Sequence, residues 1–325
     1  MPASQAAIAA FNNVLTASHP QRQKDIHDMW HQDHVFLSFV RSMNGFKTKV
    51  VEPSIQVNLN TVKDPTVATR GIWDSVPLTD VEHLKGAEFT PKVLDGAATI
   101  NRFEMTSGGS EKILDLWDER VENLRLSMED EFNLQALQAS GAGNDFGGLP
   151  LIVADDPTTG TVGGIDRSVA GNAYWRNKSV ASTGAFSSAG LTDLRNLRNQ
   201  VNTGSIRKAT KLNVTTSAIF NEYEDSQATN VRYAGPLSDM VGDAALQALM
   251  FYNEPVIWDD AVLAGKWYML NFENYCFYAA SEFQFTLDPP IASEGQYSTS
   301  AKIATYGNWV TNNPRRLGVV YGITV

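Results

Sequence analysis

Cysteine is almost absent from this chain of 325 residues: Cys276 stands alone. No intramolecular disulfide can form and no cysteine-based zinc cage is available, which suits a reducing cytoplasm. Basic charge is short as well. Lys and Arg total 26 against 36 Asp and Glu, a net charge of -10 with no basic tail to offset it, and this opposes non-specific binding to nucleic acid. The opening MPASQAAIAAFNNVLTASHP lacks the basic start and continuous apolar core of a signal peptide, and no apolar run approaches a membrane span. The expectation is a soluble chain without membrane contact. With 43% hydrophobic residues it can bury a sizeable core as one large domain or two ordinary ones.

Catalytic signatures are missing too. There is no GxSxG, no cysteine beside a histidine and no zincin pattern, and all five histidines precede residue 84. His27, His31 and His34 have the spacing that places three imidazoles on one helical face, but without an HExxH carboxylate they read as a polar arm face, and no metal is assigned. The glycine-rich GTVGGIDRS matches neither GxxxxGK[ST] nor GxGxxG, so no nucleotide or other cofactor is assigned. Three carboxylate pairs occur: Asp155 with Asp156, Asp259 with Asp260, and Glu222 with Glu224. Two carboxylates can hydrolyse a glycosidic bond only across a shared cleft. Solvated turns and caps are the expected use, and no catalytic residue is assigned.

What is present is a spine. From Ser110 to Ser140 the residues Ile113, Trp117, Val121, Leu124, Met128, Phe132, Ala136 and Ala139 recur by threes and fours, predicting one amphipathic helix of roughly 46 Å with Gly141 and Gly143 at its stop. It is expected to pack under the last strands, making one domain discontinuous in sequence. Before it, two short helical patterns broken at His19-Pro20 form an arm, the second running through Trp30, Leu37 and Val40. Each is too short to stand alone in water. From Phe46 to Glu104 alternation predicts a long hairpin whose connection, DPTVATRGIWDSVPL, leaves Ile72, Trp73 and Val76 near the tip. A two-stranded ribbon is marginal by itself, and such side chains are costly to leave in water. Arm and ribbon therefore reach for partners. Leu191–Val201 reads as a helix, 211–220 as strand-like, 239–251 as a helix, and strands dominate from Trp267. The class is α+β. Arg315 and Arg316, beside Pro314, are expected to pair with acids of another subunit.

This order of parts, with GLPLIVADDPTTGTVGGIDRS and the following YWRN, NEPVIWDD, YMLN and NPRRLGVVYGI, resembles the major capsid proteins of tailed double-stranded DNA phages, the Hong Kong 97-like shell fold. The resemblance covers most of residues 40–325. It implies an N-terminal arm (1–45), an extended loop (46–105), a peripheral domain with the spine (106–165 and 281–325) and an axial domain (166–280). It implies no active site. It further implies hexamers and pentamers closing an icosahedral head in the host bacterial cytoplasm, around DNA bound without sequence specificity. Portal, scaffolding and decoration proteins would be the partners, the scaffold being a separate protein or a segment absent from this numbering. The inter-subunit contacts expected are Trp30 and Leu37 in the arm, Ile72 and Trp73 at the loop tip, and Arg315 and Arg316. The alternatives are an encapsulin-like compartment, a tail or decoration protein, and a hydrolase using a carboxylate pair.

Overall fold

A computed structural model of the chain describes residues 34–49, 53–77, 82–101, 103, 110–202, 211–227, 249–292 and 297–325. These fall into two compact units, one holding Leu94–Glu131 and Phe285–Ala304, the other His34–Val93, Phe132–Gln284 and Thr305–Val325. In chain order the elements begin with α1 (Val35–Ser42), β1 (Phe46–Lys49), β2 (Ile55–Asn60), β3 (Leu84–Phe89), β4 (Lys92–Asn101), α2 (Ser110–Gln138) and α3 (Leu149–Ile152). They continue with β5 (Thr161–Val162), β6 (Ile165–Asp166), β7 (Lys178–Ala181), α4 (Leu191–Val201), β8 (Lys211–Thr215) and α5 (Ser217–Gln227). The remaining strands are β9 (Leu249–Phe251), β10 (Glu254–Trp258), β11 (Trp267–Asn271), β12 (Tyr275–Ala280), β13 (Thr286–Leu287), β14 (Ile291–Ala292), β15 (Ser298–Thr311) and β16 (Gly318–Tyr321). Among the described residues no helix is long and apolar enough to cross a membrane.

The spine is α2, 29 residues long. In the first unit it lies on β4 so closely that a Cβ at Gly96 would come within 2.6 Å of Leu124 Cδ1, and Arg120 Nη1 donates to the Thr99 carbonyl at 2.6 Å. Its apolar stripe is half-buried at Trp117, Val121 and Leu124 and buried from Met128 onward. β13 and β14 pair antiparallel with the first half of β15.

In the second unit the end of α2 docks under the late strands, as its stripe predicts. Phe132 meets Phe277 edge-on at 4.8 Å and lies 5.7 Å from Trp309, while β12 pairs antiparallel with the second half of β15 and parallel with β1. Asn133 Nδ2 donates to the buried Asp259 carboxylate at 3.2 Å, and Gln138 Nε2 to the Ala261 carbonyl at 2.9 Å. Gly141 and Gly143 stop the helix in left-handed conformations, φ 74° and 56°. Gly148 then returns against the helix end: a Cβ there would collide with the Gln135 carbonyl and stand 2.7 Å from that of Ala139.

The other sheet of this unit runs β7-β16-β11-β8-β10-β9, parallel at β7/β16 and β8/β10 and antiparallel elsewhere. Trp267 and Met269 of β11, with Val256 and Val320, form one face of a core completed by Leu194, Leu197 and Val201 of α4 and Ile219 and Tyr223 of α5. Alternation along β11 turns Tyr268 and Leu270, also buried, to the opposite face.

Four expectations need correction. The hairpin is β2 with β3 alone: β1 leaves to pair with β12, and β4 pairs with β15. The pattern at 211–220 is a strand to Thr215 and then a helix, with Thr216 accepting the first turn's bond from the Phe220 N–H at 3.0 Å. Residues 249–251 end the supposed helix as β9, because Tyr252 and Asn253 adopt left-handed φ of 50° and 65° and fold the chain back onto β10; residues 239–248 lie outside the described residues. Finally, 281–325 divides: Phe285–Ala304 falls in one unit with Leu94–Glu131, whereas Thr305–Val325 falls in the other, where β16 pairs between β7 and β11.

Replacing Gly148 with Ala should destabilise the chain by about 1–3 kcal/mol or more, because the obstructing atoms are backbone carbonyls that cannot rotate away. Thermal denaturation of the variant against the parent measures it, and an unchanged midpoint would contradict this packing of the spine.

Candidate inter-subunit surfaces

The β2–β3 hairpin is buried at its root and bare at its tip. Ile55, Leu59, Ala87 and Phe89 are all below 8% exposed, whereas Ile72 and Trp73 are each 96% exposed, with Val67 at 71%. The root rests on the β5–β6 turn. Gly163, at φ 58°, brings its backbone against Phe89, and its carbonyl accepts the Glu88 N–H at 2.9 Å. That is the work of the glycine cluster that fails as a phosphate cradle. Lys85 lies over the Tyr174 ring at 5.8 Å.

The tip is shaped although its apolar groups are uncovered. Asp64 accepts from the Thr66 N–H at 2.8 Å and hydroxyl at 2.7 Å, Arg70 Nη2 donates to the Thr66 carbonyl at 2.6 Å, and the Gly71 N–H donates to Asp74 at 2.7 Å. These local bonds hold Ile72 and Trp73 outward on a folded knob. Burying an aliphatic side chain of this size is worth about 1.5–3 kcal/mol, and an indole offers more area still. Two such groups side by side in water ask for a surface to cover them.

The other expected contacts divide. Leu37 must be corrected: α1 buries it to 3% exposure within its own chain, so it has no face left for a neighbour. Trp30 lies outside the described residues, as do His27 and His31. Arg315 is exposed and Arg316 half-buried on a short turn, Pro314–Arg316, and neither forms an ion pair among the described residues. Sequence reasoning missed Tyr252, 54% exposed on the left-handed β9–β10 turn, where the Arg198 guanidinium stacks 4.3 Å from its ring. The signal available was the aromatic-Asn dipeptide between two short apolar runs.

No carboxylate pair builds a cleft. Asp155 is bonded to Lys266 at 2.8 Å, Asp259 accepts from Asn133 and from the Ala261 N–H, Asp260 is exposed, and Glu222 and Glu224 lie along α5. Asp156 makes the same turn as Asp64, accepting from the Thr158 N–H at 2.9 Å and hydroxyl at 2.7 Å, and so does Asp166 with the Ser168 N–H at 2.8 Å. Hydrogen bonds from the Thr158 hydroxyl and N–H hold the Asp156 carboxyl below the usual aspartate range. Arg167 is a buried cation held by carbonyl groups: it is 0% exposed, donates to the Ile152 carbonyl at 2.6 Å and to Asn177 at 3.4 Å, and burial pushes it down to about 10.

Comparison with solved structures decides the architecture. A subunit of the cyanophage A-1(L) capsid superposes with a TM-score of 0.69 at 14% identity, over 94% of this chain and 96% of that one. The chain has the Hong Kong 97-like shell fold. A native GTA particle capsid matches at TM-score 0.59 and 12% identity, covering 99% and 100% of the two chains, and the SrpI encapsulin of Synechococcus elongatus at 0.59 and 12%, covering 99% and 96%. No protein-family model and no curated protein sequence matches.

Changing Trp73 to Asp should abolish association between copies while leaving the far-ultraviolet spectrum and thermal midpoint unchanged; an unaltered assembly by sedimentation velocity would defeat the assignment of the tip. Asp156→Ala should lower stability at neutral pH. Because the folded carboxyl is held below its unfolded value, its contribution is present above about pH 4 and vanishes as pH falls through the depressed value. Melts of the variant and parent should therefore converge at low pH.

Proposed function

We propose that the chain is the major capsid protein of a tailed phage, a structural subunit that closes an icosahedral shell of hexamers and pentamers around double-stranded DNA. The observation that carries this reading is the shell fold, matched over 94% of the chain by a cyanophage capsid subunit. The uncovered knob at Ile72 and Trp73 supports it, since a subunit that completes its apolar burial only against other copies is what a closed assembly requires. The β2–β3 hairpin is then the extended loop. The first unit, with the first part of α2, corresponds to the peripheral domain. The sheet with α4 and α5 corresponds to the axial domain, enlarged by β16. Net charge of -10 suits a container whose wall must release its contents, with DNA held by confinement instead of specific contacts. Portal, scaffolding and decoration proteins are the partners in this reading, and assembly takes place in the host cytoplasm before the subunit becomes part of the virion. Its role is mechanical, not catalytic.

A second reading is favoured by one observation, the encapsulin likeness over nearly the whole chain. In it the same shell encloses protein cargo instead of DNA. Negative-stain electron microscopy and sedimentation velocity, on the chain alone and with a candidate scaffolding protein, should show closed uniform shells in at least one sample. A stable monomer in both would overturn both readings. Nuclease-protected DNA inside native particles supports the phage head; folded protein cargo supports the compartment.

A further inference from the structure

We propose that Lys92 and Asn308 form a clamp that sets the direction in which the β2–β3 hairpin leaves the second unit. A two-stranded ribbon fixes its own register by its own hydrogen bonds, but nothing within it fixes where it points. Direction must be set at the root, and in this chain the return root is Thr90-Pro91-Lys92. The Thr90 carbonyl accepts from Asn308 Nδ2 at 2.8 Å. The same side chain's Oδ1 accepts from the N–H groups of Gly147 and Trp309, both at 2.8 Å, so a side chain only 6% exposed joins root, strand and loop. Two residues on, the Lys92 ammonium donates to the carbonyls of Gly141 at 3.2 Å, Gly143 at 2.8 Å and Asp145 at 2.5 Å.

Both ties end on one short loop, 141–147, which is the turn that follows the spine. The cage has three acceptors, and an ammonium has three donors, so the match is one of valence as well as charge. No carboxylate takes part in these three bonds. The left-handed residues Gly141 and Gly143 are the bends that bring two of these carbonyls to the same point. Pro91 fixes one backbone torsion between the two ties and so couples them. On the other side of the root the Gly163 seat supports Glu88 and Phe89. With both sides held, the knob carrying Trp73 is aimed before any neighbour arrives, which lowers the ordering cost of association. Lys92 is a positioning residue: it acts through the loop carbonyls that it binds.

The inference extends the shell reading but is measured on the unassembled chain, so the two can fail separately. Spin labels at Val67→Cys, 71% exposed at the tip, and Glu224→Cys, exposed on α5, report the direction of the hairpin by pulsed electron-electron double resonance; Cys276, 2% exposed, does not compete for label. The parent should give one narrow distance distribution. Lys92→Met, which keeps the length and removes the donors, should broaden it about twofold, and Lys92→Arg should restore part of the narrowing, because its planar fork reaches two of the three carbonyls. A Lys92→Met distribution equal to the parent's overturns the clamp, as does equal broadening in Lys92→Arg and Lys92→Met. If the broadening occurs and no variant or parent forms shells, the clamp stands and the shell reading falls.

Discussion

The second unit depends on the indole of Trp309. It is fully buried, stacks on Tyr275 at 4.8 Å with the planes 6° apart, and has the rings of Phe36, Phe46, Phe132 and Phe277 within 6.4 Å. These residues come from α1, β1, α2, β12 and β15, so one side chain gathers elements from early, middle and late parts of the sequence. Such aromatic pairs contribute about 0.5–1.5 kcal/mol each beyond the area they bury. The residue before it serves the other side of the strand, where Asn308 ties the hairpin root to the loop behind the spine. Aromatic burial on one face and polar fastening on the other make β15 the strand on which both the core and the projection rely.

The two-sided character of β15 also explains the contrast at the two ends of the hairpin. At its root Ile55, Ala87 and Phe89 are covered, and the ties of Lys92 and Asn308 are made to backbone groups of the same unit. At its tip the Asp64 and Asp74 turns spend polar side chains on shape, and nothing apolar is covered. A chain folding only for its own stability would bury Trp73. Leaving it out is a local conflict with stability, and the proposed shell contacts would resolve it.

Much of this was legible in the residues because it rests on periodicity. The helical spacing from Trp117 to Ala139 placed the spine, and its buried half docks where the stripe pointed. Leu191–Val201 was equally clear from its own repeat. The exposed pair at 72 and 73 was visible because apolar residues stood in a stretch too rich in turn formers to make a core. What failed was pairing, since alternation marks a strand but not its partner: β1, β2, β3 and β4 read as one ribbon, while β1 and β4 belong with β12 and β15 two hundred residues away. Leu37 misled for a related reason, because an arm too short to be stable alone can be covered by its own chain as well as by a neighbour's. The clamp was invisible, because a lysine that binds three carbonyls carries no sequence signature; only the fold brings residues 92, 141, 143 and 145 together.

The place of β16 has a consequence in time. It lies inside the six-stranded sheet, parallel to β7 and antiparallel to β11, and without it those two strands have no contact with each other. The ribosome makes β7 and β11 long before it reaches residue 318. Until then the sheet is split into two parts, each with an open edge, and pairing across the gap must wait for a segment of high sequence separation. β16 is therefore the closing piece of this sheet: by pairing on both of its sides it covers the two edges that would otherwise stay open.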